Sequence, residues 1–209
     1  ECDWSSDVCS SDLPDIARTP IPGLLDLLKS PDRFTRQQAK RTLGEADSGA
    51  VVQAVKAWVE ALPAGDTAAE HALFEAVGVL EWHEAVEPRI LDRLASASDP
   101  RARAYAARVL GRWHDRMDGA LARLIPLLSD DHPRVRLEAL VSAAALRNTE
   151  ASLGLLGVLD KPLDSFLNYA LHQAIHVLKP YWLPHLAALP LRSEEHTSEL
   201  QSHSFISYA

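Results

Sequence analysis

A repeat with a period in the low thirties constrains the fold of this 209-residue chain more than any other feature. The segments 24–44, 90–111 and 124–146 share one pattern: an apolar stretch, a break rich in Ser, Asp and Pro, and a second stretch with Arg and Ala in matching places. A period of this length is typical of two short helices and two turns. The shared alanine recurs at intervals of 33, 34, 33 and 31 residues, at Ala39, Ala72, Ala106, Ala139 and Ala170.

The residues of one repeat predict where its second helix begins and ends. Asp99 can cap the helix through its carboxylate, and Pro100 fits the first helical position, where no backbone N–H is needed. Gly44 and Gly111 follow apolar runs, where we expect the helices to stop in a left-handed conformation. The apolar side chains recur with helical spacing, so they form one stripe made of Ala102, Ala106, Val109 and Leu110.

These segments resemble HEAT repeats, whose second helix carries an Asp-Pro-x-Val-Arg-x-x-Ala pattern. Residues 132–139, HPRVRLEA, are the closest copy, and residues 99–106, DPRARAYA, are the next. The resemblance implies an all-α fold, an α-solenoid of about five HEAT-like helix pairs over residues 14–191.

Three of the five copies are looser. In the first copy, Pro31 precedes Asp32 instead of following it. In the second copy, Asp66 is followed by neither the proline nor the arginine of the pattern. The fifth copy, within residues 162–179, is shifted by about two residues. Helix pairs of this kind bury their apolar faces against neighbouring pairs, so the looser copies still fit the same stack.

The two ends of the chain, residues 1–13 and 192–209, lack the helical period of the repeats. Arg192–Ser202 can be encoded by a DNA whose reverse complement, read in another frame, encodes Asp3–Asp12. Two ends of a natural protein have no reason to be encoded by opposite strands of one DNA. They resemble a translated sequencing adapter, so we expect both ends to be disordered artefacts and Pro14–Leu191 to be a fragment of a longer protein.

Without these ends the chain is nearly neutral. One of the 21 basic residues and seven of the 29 acidic residues lie in the ends, so the net charge changes from −8 to −2. This balance argues against a nucleic-acid partner. No apolar run reaches the roughly 18 residues of a membrane span, which argues against direct membrane insertion. Cys2 and Cys9 both lie in the N-terminal end, so the repeats have no thiolate metal site, disulfide or cysteine nucleophile.

The histidines give only a weak signal for chemistry. His172 and His176 have the i, i+4 spacing of a metal-binding pair, but HQAIH contains no acidic residue, so we favour an ordinary helix surface or repeat interface. The other histidines are expected at turns and helix ends, where they contact helix-terminal groups: His71, His83, His114, His132 and His185.

The arginines Arg36, Arg103 and Arg136 each precede a repeated alanine by three residues. They could form a basic ladder for an acidic partner, or each could pair with an Asp or Glu of the adjacent repeat. We favour the second interpretation, because acidic and basic residues nearly balance.

Four tryptophans could anchor a partner, since aromatic residues dominate interfaces, but packing between helix pairs is favoured: Trp58, Trp82, Trp113 and Trp182. The repeats contain no Gly-rich phosphate loop, no Gly-x-Ser-x-Gly, no catalytic constellation of paired carboxylates and no CxxCH. We therefore expect no catalytic, cofactor-binding or metal-binding residue in this chain.

One stretch carries a more specific resemblance. Residues 160–171, DKPLDSFLNYAL, and 178–184, LKPYWLP, resemble the last HEAT repeat of the large membrane-bound dehydrogenases of planctomycetes and verrucomicrobia, which bind haem through a CxxCH motif. The resemblance covers about residues 24–186. In that family a β-propeller precedes the HEAT segment and a c-type cytochrome domain follows it.

This resemblance implies that the chain is a non-catalytic connector in an exported, periplasmic redox protein. Its partners would be proteins or neighbouring domains of the same chain, and haem c would lie in the missing C-terminal part of the parent. Two alternatives stay open: a stand-alone HEAT-repeat scaffold that binds proteins, or a HEAT-like lyase or accessory that acts on another protein.

Overall fold

A computed structural model describes residues 16–63 and 66–188. Within these ranges the chain is all-α, with no residue in a β-strand. The two ends predicted to derive from an adapter, 1–13 and 192–209, lie outside the described residues. The described chain contains ten α-helices: α1 (Ile21–Leu27), α2 (Arg33–Glu45), α3 (Ser48–Glu60), α4 (Thr67–Trp82), α5 (Pro88–Ala95), α6 (Pro100–Arg112), α7 (Ala120–Leu128), α8 (Pro133–Ala145), α9 (Thr149–Gly154) and α10 (Ser165–Trp182).

The helices form five successive pairs, each with a first helix followed by a longer second helix. In the fifth pair, a 3-10 helix at Leu155–Asp160 continues from α9. Two further 3-10 helices lie at Ile16–Arg18 and Leu183–Ala188. This order confirms the predicted fold class, an α-solenoid of about five HEAT-like helix pairs.

A capping side chain marks the start of every second helix. The carboxylate of Asp99 accepts a hydrogen bond from the backbone N–H of Arg101 at 2.8 Å, and Pro100 occupies the first helical position, as predicted. This bond satisfies one of the N–H groups that a helix start leaves without a partner. The caps lie at intervals of 34, 33, 33 and 32 residues, at Asp32, Asp66, Asp99, His132 and Asp164.

These caps correct the repeat register in the second and fifth pairs. Seven residues after the cap stand Ala39, Leu73, Ala106, Ala139 and Leu171, all buried. The predicted positions Ala72 and Ala170 are therefore one residue too early. The cap determines where the helix begins and therefore which side chains face the core. A shift of one residue along the helix moves the side chain by about 100° around the helix axis. Accordingly, Ala170 is only half-buried, whereas Leu171 is buried.

The described residues form two compact units, each with its own core. The first comprises 16–63 and 71–85, and the second comprises 66–70 and 86–188, so α4 contributes its first turn to the second unit. Fully buried side chains of the first unit include Leu28, Leu43, Val51, Val55 and Val77. Those of the second unit include Leu94, Leu110, Trp113, Leu124, Leu128 and Leu140.

Gly44 and Gly111 lie inside α2 and α6, so the expectation that they end these helices in a left-handed conformation is wrong. Each lies instead where another element approaches closely. A Cβ atom at Gly111 would lie 2.8 Å from the Cα atom of Ser142 on α8, too close for any side chain. A Cβ atom at Gly44 would meet the indole of Trp82, with its Cδ1 at 2.7 Å.

Candidate interaction surface

In three of the helix pairs, the residue four positions after the cap contacts the loop that precedes the second helix. At this position the guanidinium Nη1 donates to the backbone carbonyls five and six residues earlier, at 2.8–3.1 Å. The three side chains that do so are Arg36, Arg103 and Arg136. Because these carbonyls lie in the turn before the helix, each arginine fixes the turn of its own pair.

Two of these arginines also reach an acidic residue of the next pair, as predicted. In the first unit, Arg36 Nε donates to Glu75 Oε1 on α4 at 3.1 Å. In the second unit, Arg103 donates to both carboxylate oxygens of Asp130, Nε to Oδ2 at 2.7 Å and Nη2 to Oδ1 at 2.9 Å. These contacts favour the interpretation that the arginines order the repeats.

Arg136 departs from this prediction, because it reaches a backbone carbonyl instead of a carboxylate. Its Nη2 donates to the carbonyl oxygen of Pro162 at 2.8 Å. The reason lies in the loop before α10. Asp130 stands two residues before the cap His132, and Pro162 stands two residues before the cap Asp164. A proline at that place offers only its backbone oxygen as an acceptor.

Glu70 makes a contact that the repeat pattern did not reveal. It stands four residues after the cap Asp66, where three other repeats have arginine. Its carboxylate accepts from the backbone N–H and the hydroxyl of Ser98, both at 2.7 Å, and from the backbone N–H of Asp99 at 3.3 Å. These hydrogen bonds hold the pKa of Glu70 below its usual value, and the bond from the Ser98 N–H has the largest effect. Within the second unit, Glu70 thus accepts hydrogen bonds that connect the first turn of α4 to the loop before α6.

The ion pair of Arg103 and Asp130 is largely enclosed, with side chains 18% and 11% exposed. Burial raises the pKa of Asp130, but hydrogen bonds from Arg103 and from the His132 N–H outweigh it, so this pKa is lowered. The hydrogen bond to Asp130 likewise raises the pKa of Arg103. Both groups are therefore charged at neutral pH.

Three histidines lie at helix ends, as predicted. His132 caps α8, since its Nδ1 accepts from the Arg134 N–H at 3.2 Å. His114 Nδ1 lies 2.8 Å from the carbonyl oxygen of Gly111, and His83 Nε2 lies 3.0 Å from that of Leu43. These three rings thus contact backbone groups at the ends of α8, α6 and α2.

Within the described residues, the other histidines form no recognisable site. His71 lies within α4 and not at a helix end, with its Nε2 atom 3.6 Å from Glu75 Oε1. His172 and His176 lie one turn apart on α10, and His185 is exposed on the last 3-10 helix. Across the described ranges, no three His, Cys, Asp or Glu side chains gather closely enough to hold a metal ion. In the same part of the chain, no helix has the length and apolarity needed to cross a membrane.

The tryptophans mostly pack within their units, as favoured from the sequence. Trp113 is fully buried, and Trp182 is buried with its indole N–H donating to the Ile175 carbonyl at 2.9 Å. Trp58 is half-buried and donates to Asp26 at 3.1 Å. Trp82 lies across Gly44 but leaves more than half of its surface exposed.

An apolar groove between α8 and α10 was not anticipated from the sequence. It has a volume of about 530 Å³. Small side chains, including Ala144, Ala170 and Ala174, leave the depression between the two helices. Larger apolar side chains border it and face solvent: Val141 (55% exposed), Phe166 (71%), Tyr169 (68%) and Val177 (45%).

The phase of α10 explains why the aromatic side chains face solvent. The cap Asp164 accepts from the Leu167 N–H at 2.8 Å and starts the helix. Leu167 and Leu171, one turn apart, then enter the core. Phe166 and Tyr169 share a face with each other but not with that buried stripe, so they line the groove. Large apolar residues out of phase with the buried stripe are the sequence signal for this surface.

Comparison with known proteins finds one family match, in part of the chain. The family described as HEAT repeats matches residues 87–176. No curated protein matches the chain. Two crystal structures of engineered proteins from the Northeast Structural Genomics Consortium are similar. The first is 21% identical with a TM-score of 0.45, covering 88% of this chain and 92% of that chain. The second is 23% identical with a TM-score of 0.43, covering 88% and 97%. Residues 87–176, which include the groove, are thus similar to HEAT repeats.

Proposed function

We propose that this chain is a non-catalytic helical-repeat scaffold that binds another protein through the groove between α8 and α10. The exposed apolar side chains Val141, Phe166, Tyr169 and Val177 carry this proposal. Isolated apolar residues are common on protein surfaces, but a contiguous apolar patch marks a place of interaction.

The groove favours a helical partner over an extended one. Its ten lining residues are mostly apolar, and both of its walls are helices whose backbone groups are already hydrogen-bonded. An extended segment would bring unpaired N–H and C=O groups against an apolar surface, which costs free energy. A helix satisfies its own backbone groups and presents an apolar stripe.

A selection of displayed amphipathic helices against the full 209-residue chain tests this proposal. The enriched peptides should lose at least about tenfold in affinity for Phe166→Glu, because the substitution places a charge in the apolar contact. Phe34→Glu is the matched control, since Phe34 is also exposed and also stands two residues after a cap. Peptides that bind Phe166→Glu and the unchanged chain equally would contradict the proposal.

We also propose that the scaffold is the connector of a larger, exported redox protein. The segment that resembles the dehydrogenase family, residues 160–171, contains Phe166, Tyr169 and Ala170, which all line the groove. In such a parent, a neighbouring domain of the same chain would occupy the groove. Stacked helix pairs would separate a propeller from a cytochrome domain more rigidly than a flexible linker could. Haem c would be held downstream, by residues that this chain does not contain.

Sequencing the natural locus, with adapter sequences removed from the reads, tests the connector proposal. The expected gene encodes a β-propeller upstream of Pro14 and a domain with CxxCH downstream of Leu191, and residues 1–13 and 192–209 are absent from it. A complete gene that encodes only HEAT repeats, with start and stop codons near these boundaries, would contradict the connector proposal. Only the proposal of a protein-binding scaffold would then remain.

A further inference from the structure

Glu138 on α8 is the single charged side chain among the described residues that line the groove. It is half-buried, and it forms no hydrogen bond or ion pair with any residue in the described ranges. Arg134, one turn earlier on the same helix, is exposed and does not pair with it within those ranges. The groove therefore combines an apolar surface with one carboxylate that has no protein partner.

Docking a helix into this groove would remove water from Glu138. Removing water from a carboxylate that gains no partner costs free energy, so a purely apolar helix would bind more weakly than a basic one, and an acidic helix more weakly still. A Lys or Arg on the docked helix removes this penalty. Its long aliphatic stem can lie along the apolar wall while its charged end reaches the carboxylate.

We infer that the groove between α8 and α10 binds an amphipathic helix that carries a Lys or Arg beside its apolar stripe, and that this residue pairs with Glu138. The inference rests on the proposed function, because it specifies the partner of the same groove. Along α10 the groove extends from Phe166 to Val177, or about 16 Å at 1.5 Å per residue. That length accommodates about three turns of a helix, with apolar anchors at i, i+3 or i+4, and i+7.

A charge-swap selection tests the inference. The probe is a display library of helices about 18 residues long, with a fixed apolar stripe and with Glu, Gln or Lys at each flanking position. The unchanged full-length chain should enrich Lys at one flanking position. Glu138→Gln should abolish this enrichment, and Glu138→Lys should replace it by Glu. Glu150→Lys, an exposed acidic residue on α9 outside the groove, is the control and should leave the Lys preference unchanged.

Binding measured with one selected peptide completes the test. Its affinity should fall about threefold to fivefold for Glu138→Gln, as expected for a partly exposed ion pair, and by more for Glu138→Lys. Peptides that need Phe166 but show no charge preference would overturn the inference and leave the scaffold proposal intact. Peptides indifferent to Phe166 would overturn both. A dimer that Phe166→Glu dissociates, seen by light scattering, would assign the groove to a second copy of the chain and also overturn the inference.

Discussion

Arg103 on α6 and Asp130 before α8 form a two-point ion pair, with Nε to Oδ2 at 2.7 Å and Nη2 to Oδ1 at 2.9 Å. The Nη1 atom of the same guanidinium donates to the carbonyls of Ala97 and Ser98 at 2.9 Å. One side chain therefore holds the turn before its own helix and joins it to the next pair. A planar guanidinium can do both because its N–H groups point in fixed, different directions.

Arg103→Ala should destabilise the fold by about 2 kcal/mol, because Asp130 loses its charged partner and the carbonyls of Ala97 and Ser98 lose the guanidinium donor. Arg123→Ala is the control: Arg123 pairs with Asp92 through its Nε at 2.6 Å, but both side chains are more exposed. We expect that control to cost less than about 1 kcal/mol. Urea unfolding of the two variants measures the difference, and equal losses would show that the Arg103 pair does not order the repeats.

Glu70 should make stability depend on pH. Hydrogen bonds led by that from Ser98 lower its folded-state pKa below the ordinary 4.5. Its ionised form therefore stabilises the fold above pH 4.5, and this stabilisation is lost as the pH falls through the lowered pKa. Glu70→Gln should thus lower the free energy of unfolding most at neutral pH, and the difference from the unchanged chain should shrink in acid. Urea unfolding at several pH values measures it. Glu150→Gln, a substitution of an exposed glutamate on α9, is the control.

The five helix pairs could be predicted from the sequence because every repeat has a capping residue at a similar interval, and three repeats share a buried alanine seven residues after it. The register of the repeats was harder to predict. Matching alanines by identity placed the second and fifth repeats at Ala72 and Ala170, whereas the caps place them at Leu73 and Leu171. A cap defines a helix start through local hydrogen bonds, so it gives the register more reliably than a residue that is common throughout the chain.

The site was only partly predictable, and the contacts show why. Arginine pairing with acidic residues follows from charge balance, and it is confirmed at Arg36 and Arg103. The carbonyl partner of Arg136 has no sequence signature, since every residue has a carbonyl. The sequence does place Phe166 and Tyr169 out of phase with the buried stripe of α10. The groove itself depends on how α8 and α10 approach each other, so it required the tertiary structure.

A chain trimmed to residues 14–191 should unfold at the same Tm as the full chain. The removed ends have no amphipathic period, so we expect them to bury no apolar surface on the repeats. Thermal unfolding followed by circular dichroism compares the two chains. A Tm lower by about 4 °C after trimming, equivalent to about 1 kcal/mol, would show that the ends pack on the repeats.

The glycines of α2 and α6 should respond in opposite ways to the same substitution. Gly44 and Gly111 both stand twelve residues after a cap, and alanine is the better helix former by about 1 kcal/mol. At Gly111 the added Cβ atom would meet the backbone of Ser142, which cannot move without shifting α8. Gly111→Ala should therefore destabilise the fold by about 1–3 kcal/mol, as overpacking does.

At Gly44 the obstacle is the exposed indole of Trp82, which can rotate toward solvent. Gly44→Ala should therefore be close to neutral, with the helix preference for alanine offsetting the displaced ring. Urea unfolding measures both variants, and tryptophan fluorescence of Gly44→Ala should report a more solvated Trp82. If Gly111→Ala were as stable as the unchanged chain, α6 and α8 could not be as close as Gly111 and Ser142 place them.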